Sequence, residues 1–498
     1  MDKAKRTIFL TGATGLIGMA ALKELYKRLD RFDLTLLVRP TKINKRKMRP
    51  YSGQQGIRIV WGDLMNYNDV LKCVNGADIV LHIGGMVSPQ CDPYPKKTRK
   101  VNLTSAQYIV NAIKEQANAD DIALVYMGSI AQTGHRNVPY HWGRTGDPIY
   151  PAIYDHYALS KCEAERIIVD SGLKKWVSVR QSGVLYPELI MNGLNPIIFH
   201  ISLHTVVEWA TIEDSGRLLA NICEESVPDE FWNRFYNISS GASYRLTFYD
   251  FVAKLLKLTH CPPPEKIFNL HWFALRNFHC YWFTDADILE NYLHFRSNVP
   301  ADVYFKQMQK QIPWYFSLIK IIPAFVIKAV MYLLVNDKKN GTMTWIKQRD
   351  QQRISVFFGS YEKWRQIPKW KDYHVVNPQQ EPIFFNHGYD ENKAKEDLDI
   401  EDMKQAAIFR GGVCVSETMT KGDLSTHLEW ECQFHHRFKA SPALILLGGH
   451  WCPECFPTPY NYDAIAKGNP FFAQAWYTSH DKDEHNVYEE SIFDGWEK

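Results

Sequence analysis

Tyr157 and Lys161 stand four residues apart in the run Tyr-Ala-Leu-Ser-Lys, so on a helix their phenol and ammonium share one face. A phenol of ordinary pKa, near ~10, is a poor acid–base group at neutral pH, and an adjacent ammonium favours the phenolate that proton transfer needs. The spacing alone is weak, because Tyr389 and Lys393 repeat it. The first copy differs in following Leu124-Val125-Tyr126-Met127-Gly128-Ser129, an apolar run ending on a hydroxyl that could hold a substrate oxygen. Ser129, Tyr157 and Lys161 are therefore the candidate catalytic set. A second cluster lies far away, where Cys432-x3-His436-x15-Cys452-x2-Cys455 offers four soft or borderline ligands in one short module. That spacing predicts a zinc site whose closed shell leaves no position for a reacting water, so its role would be structural. Cys414, His435 and His450 fall outside the set, and the six cysteines scattered singly read as small buried apolar residues.

These groups need elements to position them, and the first is Thr7-Ile8-Phe9-Leu10-Thr11-Gly12-Ala13-Thr14-Gly15-Leu16-Ile17-Gly18. An apolar strand runs into three glycines at three-residue spacing and then into a helix. Gly12 permits the tight turn, Gly15 lets backbone N–H groups approach a pyrophosphate, and Gly18 lets the helix pack on the sheet. A second strand, Leu34 to Val38, follows on schedule and ends in Arg39, with Lys42, Lys45, Arg46 and Lys47 beyond. An acidic residue there would hold the ribose hydroxyls of NAD; Arg39 and its basic neighbours instead favour the extra phosphate of NADP, with NAD(H) as the alternative. Gly62-Asp63-Leu64 is placed to hold the adenine end, and Gly84-Gly85 after the fourth strand lets backbone approach the cofactor.

Strand and helix signals alternate from Thr7 to about Val179, with apolar runs at Ile8–Leu10, Leu34–Val38, Ile57–Trp61, Ile79–Ile83, Ala123–Tyr126 and Trp176–Val179. This is the pattern of a parallel sheet with helices on both faces. The 498 residues, 45% apolar and 13% aromatic, suffice for a large core, and a formal charge of +3 gives no bulk electrostatic case for nucleic acid. The opening Met-Asp-Lys-Ala-Lys-Arg leads into the first strand without a signal-type apolar region, so a cytoplasmic protein with reduced cysteines is expected.

The order Thr11 to Gly18, Gly62-Asp63-Leu64, Val101-Asn102, Ser129, Tyr157/Lys161 and Arg180-Gln181-Ser182-Gly183-Val184-Leu185-Tyr186-Pro187 resembles the extended short-chain dehydrogenase/reductase superfamily of the NAD-dependent epimerase/dehydratase type, over about residues 5–260. The resemblance implies a Ser–Tyr–Lys catalytic set and a cofactor site comprising Gly12, Thr14, Gly15, Leu16, Ile17, Gly18, Arg39, Asp63, Leu64, Gly84, Asn102, Tyr157 and Lys161. The family usually has Arg-Pro where this chain has Arg180-Gln181, which alters the backbone expected near the nicotinamide. Trp209 to Asp214 looks like the family's segment returning to the fold, and Tyr236-Asn237-Ile238 resembles its last sheet strand. Gly411 to Ser416, Trp430-Glu431-Cys432 and Gly449 to Cys455 resemble small treble-clef zinc modules, and no basic stripe for nucleic acid accompanies them.

The expected fold is α/β: a Rossmann doubly wound parallel sheet with a helical substrate lobe and a small C-terminal zinc domain. The expected division is 1–260 for the nucleotide fold, 261–380 for a helical aromatic region and 381–498 for the zinc module and tail, with a polar linker at 372–381. The nucleotide fold is expected to survive loss of the metal on its own core. Aromatic residues between Leu246 and Ser297, among them Phe268, Trp272, Phe273, Phe278, Tyr281, Trp282 and Phe283, read first as packed core and second as walls for an apolar substrate. The greasiest stretch, 313–335, is interrupted by Lys320, Pro323 and Lys328, which argues against crossing a bilayer; a buried helical hairpin is the first reading and a peripheral membrane contact the second. Expected partners are an apolar small molecule and, as an open alternative, a second copy of the chain in a homodimer. The function these features favour is an NADP(H)-dependent oxidoreductase interconverting a secondary alcohol and a ketone, hydroxysteroid dehydrogenase- or ketone reductase-like. A nucleotide-sugar epimerase or dehydratase is the alternative, and an NADP(H)-sensing regulatory or binding protein is the third reading.

Overall fold

A computed structural model of the chain describes residues 5–190, 195–455 and 461–488. Seven strands form its central sheet: β1 (Arg6–Thr11), β2 (Phe32–Val38), β3 (Ile57–Trp61), β4 (Ile79–His82), β5 (Ala123–Ser129), β6 (Lys175–Gln181) and β7 (Arg234–Ile238). Their order is β7-β6-β5-β4-β1-β2-β3 and every pairing is parallel. The order reverses between β1 and β4, so a crevice opens at the carboxyl ends of those strands, where open α/β sheets bind ligands. Each expected strand is present, β5 and β6 running farther than their apolar cores so that Ser129 stands opposite Gln181.

Both sheet faces are covered, which is why the strands read as continuous apolar runs. Ile8, Leu10, Val125 and Met127 pack on one face against α1 (Leu16–Tyr26) and α6 (Ile212–Asn221). Phe9, Leu124 and Tyr126, the alternate positions, face α3 (Tyr67–Val74), α4 (Pro95–Lys114) and α5 (His156–Val169). The short helix α2 (Lys42–Met48) follows β2 and carries the basic residues expected there.

The packing crosses the boundaries expected near 260 and 380. The cysteine/histidine module carries a three-stranded antiparallel sheet, β8 (Val413–Cys414), β9 (Leu428–Glu431) and β10 (Arg437–Ala440). Its Trp430, Leu444, Ile445 and Trp451 share one core with Ile168, Trp176 and Phe235 of the nucleotide fold, so the expectation of independent cores is revised. The terminal helix Pro470–Trp476 does not stay with the module: Phe472 and Trp476 join the lobe core of Phe199, Phe248, Phe268, Trp272, Phe273, Phe305 and Phe357. Residues 489–498 of the expected last domain lie outside the described residues.

Phe268, Trp272 and Phe273 are buried in the lobe core and Tyr281, Trp282 and Phe283 in smaller clusters beside it, as the first reading had it, whereas Phe278 is only partly buried and lines a cleft. Two other expectations are corrected. The segment at 372–381 is a strap and not a free linker, because the Gln379 carbonyl accepts from the Trp142 indole at 3.0 Å and contacts His141 at 3.1 Å. The stretch 313–335 is not a buried hairpin: Trp314–Ile321 and Ala324–Val335 form two helices bent by 110°, and Trp314, Ile321, Phe325 and Leu333 are all exposed.

Candidate active site

The glycine loop shows why side chains are excluded from it. Gly12 lies at φ +71° and a Cβ there would come within 2.8 Å of the Gly84 Cα, so the loops after β1 and β4 touch backbone to backbone. A Cβ on Gly18 would sit 2.1 Å from the Gly12 carbonyl oxygen. Gly15 is the N-cap of α1 and offers no side chain to its first turn, leaving the helix N-terminus to a ligand anion. Thr11 ties the two loops together, its hydroxyl accepting from Ile83 N at 3.0 Å and Gly84 N at 2.9 Å. Asn102 holds the far side of the second loop: its Oδ1 accepts from Met86 N at 2.8 Å, and its Nδ2 donates to Met86 O at 3.1 Å and Ser160 Oγ at 2.9 Å. Asn102 thus positions Gly84–Met86 and links that loop to α5.

Asp63 accepts from Met65 N at 2.9 Å, which shapes the loop after β3, and Leu64 lies where a Cβ on Gly84 would meet it at 2.7 Å. Arg39 is exposed at the end of β2. Lys47 reaches back from α2 to donate to Thr14 O at 2.7 Å, so the basic helix and the glycine loop form one surface. Leu16 and Ile17 stand partly exposed at the start of α1. This cradle fits a dinucleotide with a basic patch at its ribose end: two glycine loops that a Cβ would fill, an uncapped helix N-terminus and cationic side chains beside them.

Ser129 and Tyr157 come together. Ser129 ends β5, its hydroxyl accepting from Ala131 N at 3.2 Å, and faces Tyr157 near the start of α5. Burial pushes the phenol above its usual range, a shift the nearby Ser129 hydroxyl opposes. Lys161 lies one turn further along α5. Its ammonium donates to Met127 O at 2.8 Å and lies 4.8 Å from the Tyr126 ring centroid. Burial brings Lys161 itself down to about 8, against the pull of Glu165. The second tyrosine–lysine copy has no such context, since Tyr389 is in a loop and Lys393 pairs with Asp402.

A cleft opens at the start of α5, lined by Ser88, Asp92, Tyr154, Asp155, His156, Phe278, His279 and Arg353 among others. Asp155 caps α5 by accepting from Ala158 N at 2.8 Å and faces His279 at 3.6 Å. Asp92 is pushed up to about 7 by burial, with Asp155 adding to the effect. Gln181, standing where the family has proline, keeps its side-chain carbonyl buried without a partner at the level of Ser129.

Sequence reasoning missed the polar hub behind the catalytic strand. Glu165 is fully buried on α5 and accepts from Arg180 (Nε 3.1 Å, Nη2 2.8 Å), Ser178 (2.5 Å) and Gln132 (2.8 Å), while His450 Nε2 lies 2.7 Å away. Gln132 in turn accepts from Ser129 N at 2.8 Å, and Arg180 donates to Gly448 O at 2.7 Å. His450, spare in the sequence, therefore joins the catalytic strand to the C-terminal module. Its only signal was proximity to Cys452, which pointed to a metal and not to a carboxylate.

In that module the ligand atoms of Cys432, His436, Cys452 and Cys455 all lie within 4.8 Å of one another. Cys432 and Cys455 sulfurs are 3.7 Å apart, and His436 Nδ1 is 3.6 Å and 3.5 Å from the Cys452 and Cys455 sulfurs. A tetrahedron with Zn–S of ~2.3 Å and Zn–N of ~2.0 Å has edges of roughly 3.8 and 3.5 Å, so the donor set fits zinc. The sulfur separation is far from the ~2.05 Å of a disulfide.

Residues 12–188 match the NAD(P)H-binding protein family. Among curated proteins, the chain is 26% identical over 175 residues to mouse 3 beta-hydroxysteroid dehydrogenase type 7, covering 33% of this chain and 44% of that protein. It is 27% identical over 161 residues to uncharacterized protein 052L of Frog virus 3 (isolate Goorha), covering 32% and 43%. The matches thus span less than half the length of these curated relatives. Among solved structures, the dTDP-glucose 4,6-dehydratase DesIV of Streptomyces venezuelae, determined with NAD and TYD bound, gives a TM-score of 0.50 at 16% identity over 62% of this chain and 97% of that one. That likeness describes the fold. Sheet order, glycine cradle and the match over residues 12–188 together define an NAD(P)H-binding domain with a Rossmann fold.

Proposed function

We propose that the protein is an NADP(H)-dependent oxidoreductase that interconverts a secondary alcohol and a ketone on a largely apolar small molecule. The observation that supports this reading is the packing of β5, which ends on Ser129, against α5, which carries Tyr157 and Lys161, next to a cleft lined by Asp155 and His156 from the start of that helix and walled by Tyr154, Phe278, Trp345 and Phe357. Bound NADP(H) supplies or accepts the hydride. Gly12, Thr14, Gly15, Leu16, Ile17 and Gly18 would hold its pyrophosphate, Asp63 and Leu64 its adenine end, Gly84 and Asn102 the loop against it, and Arg39 with Lys42 and Lys45 its extra phosphate. Ser129 orients the substrate oxygen and Tyr157 exchanges its proton. Lys161 keeps a cation behind the tyrosine, within the same buried strand–helix junction.

Asp92, Asp155 and His279 give the cleft polar groups for a hydroxyl or carbonyl away from the reacting carbon. The charges lining the cleft are mixed, Asp155 and a partly protonated Asp92 against Arg353 and His279, and do not single out a diphosphate. We further propose that Cys432, His436, Cys452 and Cys455 hold one structural zinc ion. The test of the main reading is Tyr157→Phe assayed with NADPH and a panel of steroid, aryl and acyl ketones. Cofactor binding should persist while turnover falls about a hundredfold or more, roughly 2.7 kcal/mol of transition-state stabilisation. Near-wild-type turnover in the variant ends the proposed mechanism.

A further inference from the structure

Among the described residues, the bent helix pair at 313–335 is an exposed apolar surface that the proposed chemistry leaves unused. We propose that this pair docks in the plane of a bilayer surface bearing anionic headgroups. Trp314 is 78% exposed, Ile321 72%, Phe325 74% and Leu333 72%, and Tyr315, Leu318, Val326 and Val330 join them. Patches of this size on a soluble monomer mark an interaction site. The second helix, Ala324–Val335, is apolar but for Lys328 and the Tyr332 hydroxyl: Ile327, Met331 and Val335 pack into the lobe core, while Phe325, Val326, Val330 and Leu333 face out. Its inner stripe is accounted for by the protein, and its outer stripe is not.

Geometry and charge decide between occupants. Twelve helical residues extend only about 18 Å against a hydrocarbon core of about 30 Å, and the 110° bend turns the first helix away from the axis of the second. The pair is shaped to lie along an interface rather than cross it. From residue 303 to 349 the chain carries seven lysines and one arginine against a single acidic residue, Asp337, although the whole chain is nearly neutral at +3. Lys320, Lys338 and Lys339 are exposed beside the apolar stripe, and Trp314 and Tyr315 open it, the composition of an interfacial anchor. A second copy of the same surface would bring like charges together around a two-fold contact, whereas anionic headgroups complement them. The anchor is tied to the rest of the molecule through Asn340, whose carbonyl lies 2.7 Å from His200 Nε2, and both residues line the cleft.

The test is co-sedimentation of the full chain with phosphatidylcholine vesicles and with phosphatidylcholine/phosphatidylserine vesicles, at low and high salt. Wild-type protein should bind the phosphatidylserine vesicles more tightly and lose much of that preference at high salt. Phe325→Asp with Leu333→Asp should reduce binding at least tenfold with an unchanged circular dichroism spectrum. Lys320→Gln, Lys338→Gln and Lys339→Gln touch only exposed positions and keep the fold, and each should weaken binding to the anionic vesicles about fivefold. Wild-type protein that ignores both vesicles, or lysine variants that bind as tightly as wild type, overturns the proposal. So does a dimer in light scattering that the Phe325→Asp/Leu333→Asp variant dissociates, since the stripe would then be covered by a second copy.

Discussion

Glu165 offers the sharpest test of how the fold holds β5 and its terminal Ser129. In Glu165→Gln the shape is kept and the charge removed, and a donor amide must face a site where Arg180, Ser178, Gln132 and His450 all donate. Arg180 would lose its counter-ion and keep only neutral acceptors, the substituted amide oxygen and the Gly448 carbonyl, with no exposed surface for water to reach. Breaking a buried ion pair from one side typically costs about 3–5 kcal/mol, a large share of a domain stability of roughly 5–15 kcal/mol. At about 2–4 °C per kcal/mol for a large domain, the melting midpoint should fall by roughly 6–20 °C.

The pH dependence gives a control. Burial alone would raise the Glu165 carboxyl, but Arg180 beside it and the His450 hydrogen bond outweigh burial and hold it well below the usual carboxylate range. A carboxyl depressed in the folded state stabilises fully above its unfolded pKa of ~4.3 and loses that contribution as pH falls toward the folded value. The gap between wild type and Glu165→Gln, measured by urea denaturation followed by circular dichroism, should therefore be widest at pH 7 and narrow steadily below about pH 4.3. A loss under about 1 kcal/mol at pH 7 would refute the reasoning, because it would mean that Arg180 finds other partners and the hub is not a single charged unit.

Three further outcomes are expected. Arg39→Asp should lower the ratio of NADP(H) to NAD(H) affinity at least tenfold by fluorescence titration; an unchanged ratio would place phosphate recognition on Lys42 or Lys45 instead. Because Asp92 is raised to about 7 from an unfolded value near ~3.8, the folded protein holds an extra proton between those pH values. Stability should fall as pH rises through that window, and Asp92→Asn should flatten the profile; a variant with the wild-type slope removes Asp92 as the cause. Cys452→Ser should abolish metal in elemental analysis and release 413–455 in hydrogen exchange, and it should also lower the midpoint of the nucleotide fold, since Trp430 and Trp451 fill its core. A nucleotide fold that melts unchanged without metal would restore the expectation of two independent cores.

What could be read in advance followed from local physics. The strands announced themselves because burial on both faces demands uninterrupted apolar runs, and Gly12, Gly15 and Gly18 because only glycine clears 2.1–3.2 Å approaches to neighbouring backbone. Ser129, Tyr157 and Lys161 were legible as types at a spacing, yet their spacing does not say where an ammonium points, and Lys161 points at Met127. The cysteine–histidine set was visible because metal geometry constrains close pairs in sequence. Glu165, Gln132, Arg180, Gly448 and His450 meet across separations of up to 285 residues, and no period or motif encodes such a meeting.

The same reasoning explains why the module and the sheet were separated too cleanly. Composition shifts near 380 mark where the chain changes its local habits, but a core is assigned by contact, and Leu444, Ile445 and Trp451 have too little partner surface within their own short module to be buried there alone. They bury against α5 and β6 instead, and once the apolar side chains have brought Gly448 and His450 to that face, the buried polar atoms they carry must be satisfied. Glu165 and Arg180 satisfy them. The hub is thus a consequence of shared burial, which is why Gly448 and His450 of the module, the far wall of the sheet and the backbone of Ser129 form one continuous hydrogen-bonded structure although the sequence spells them in separate places.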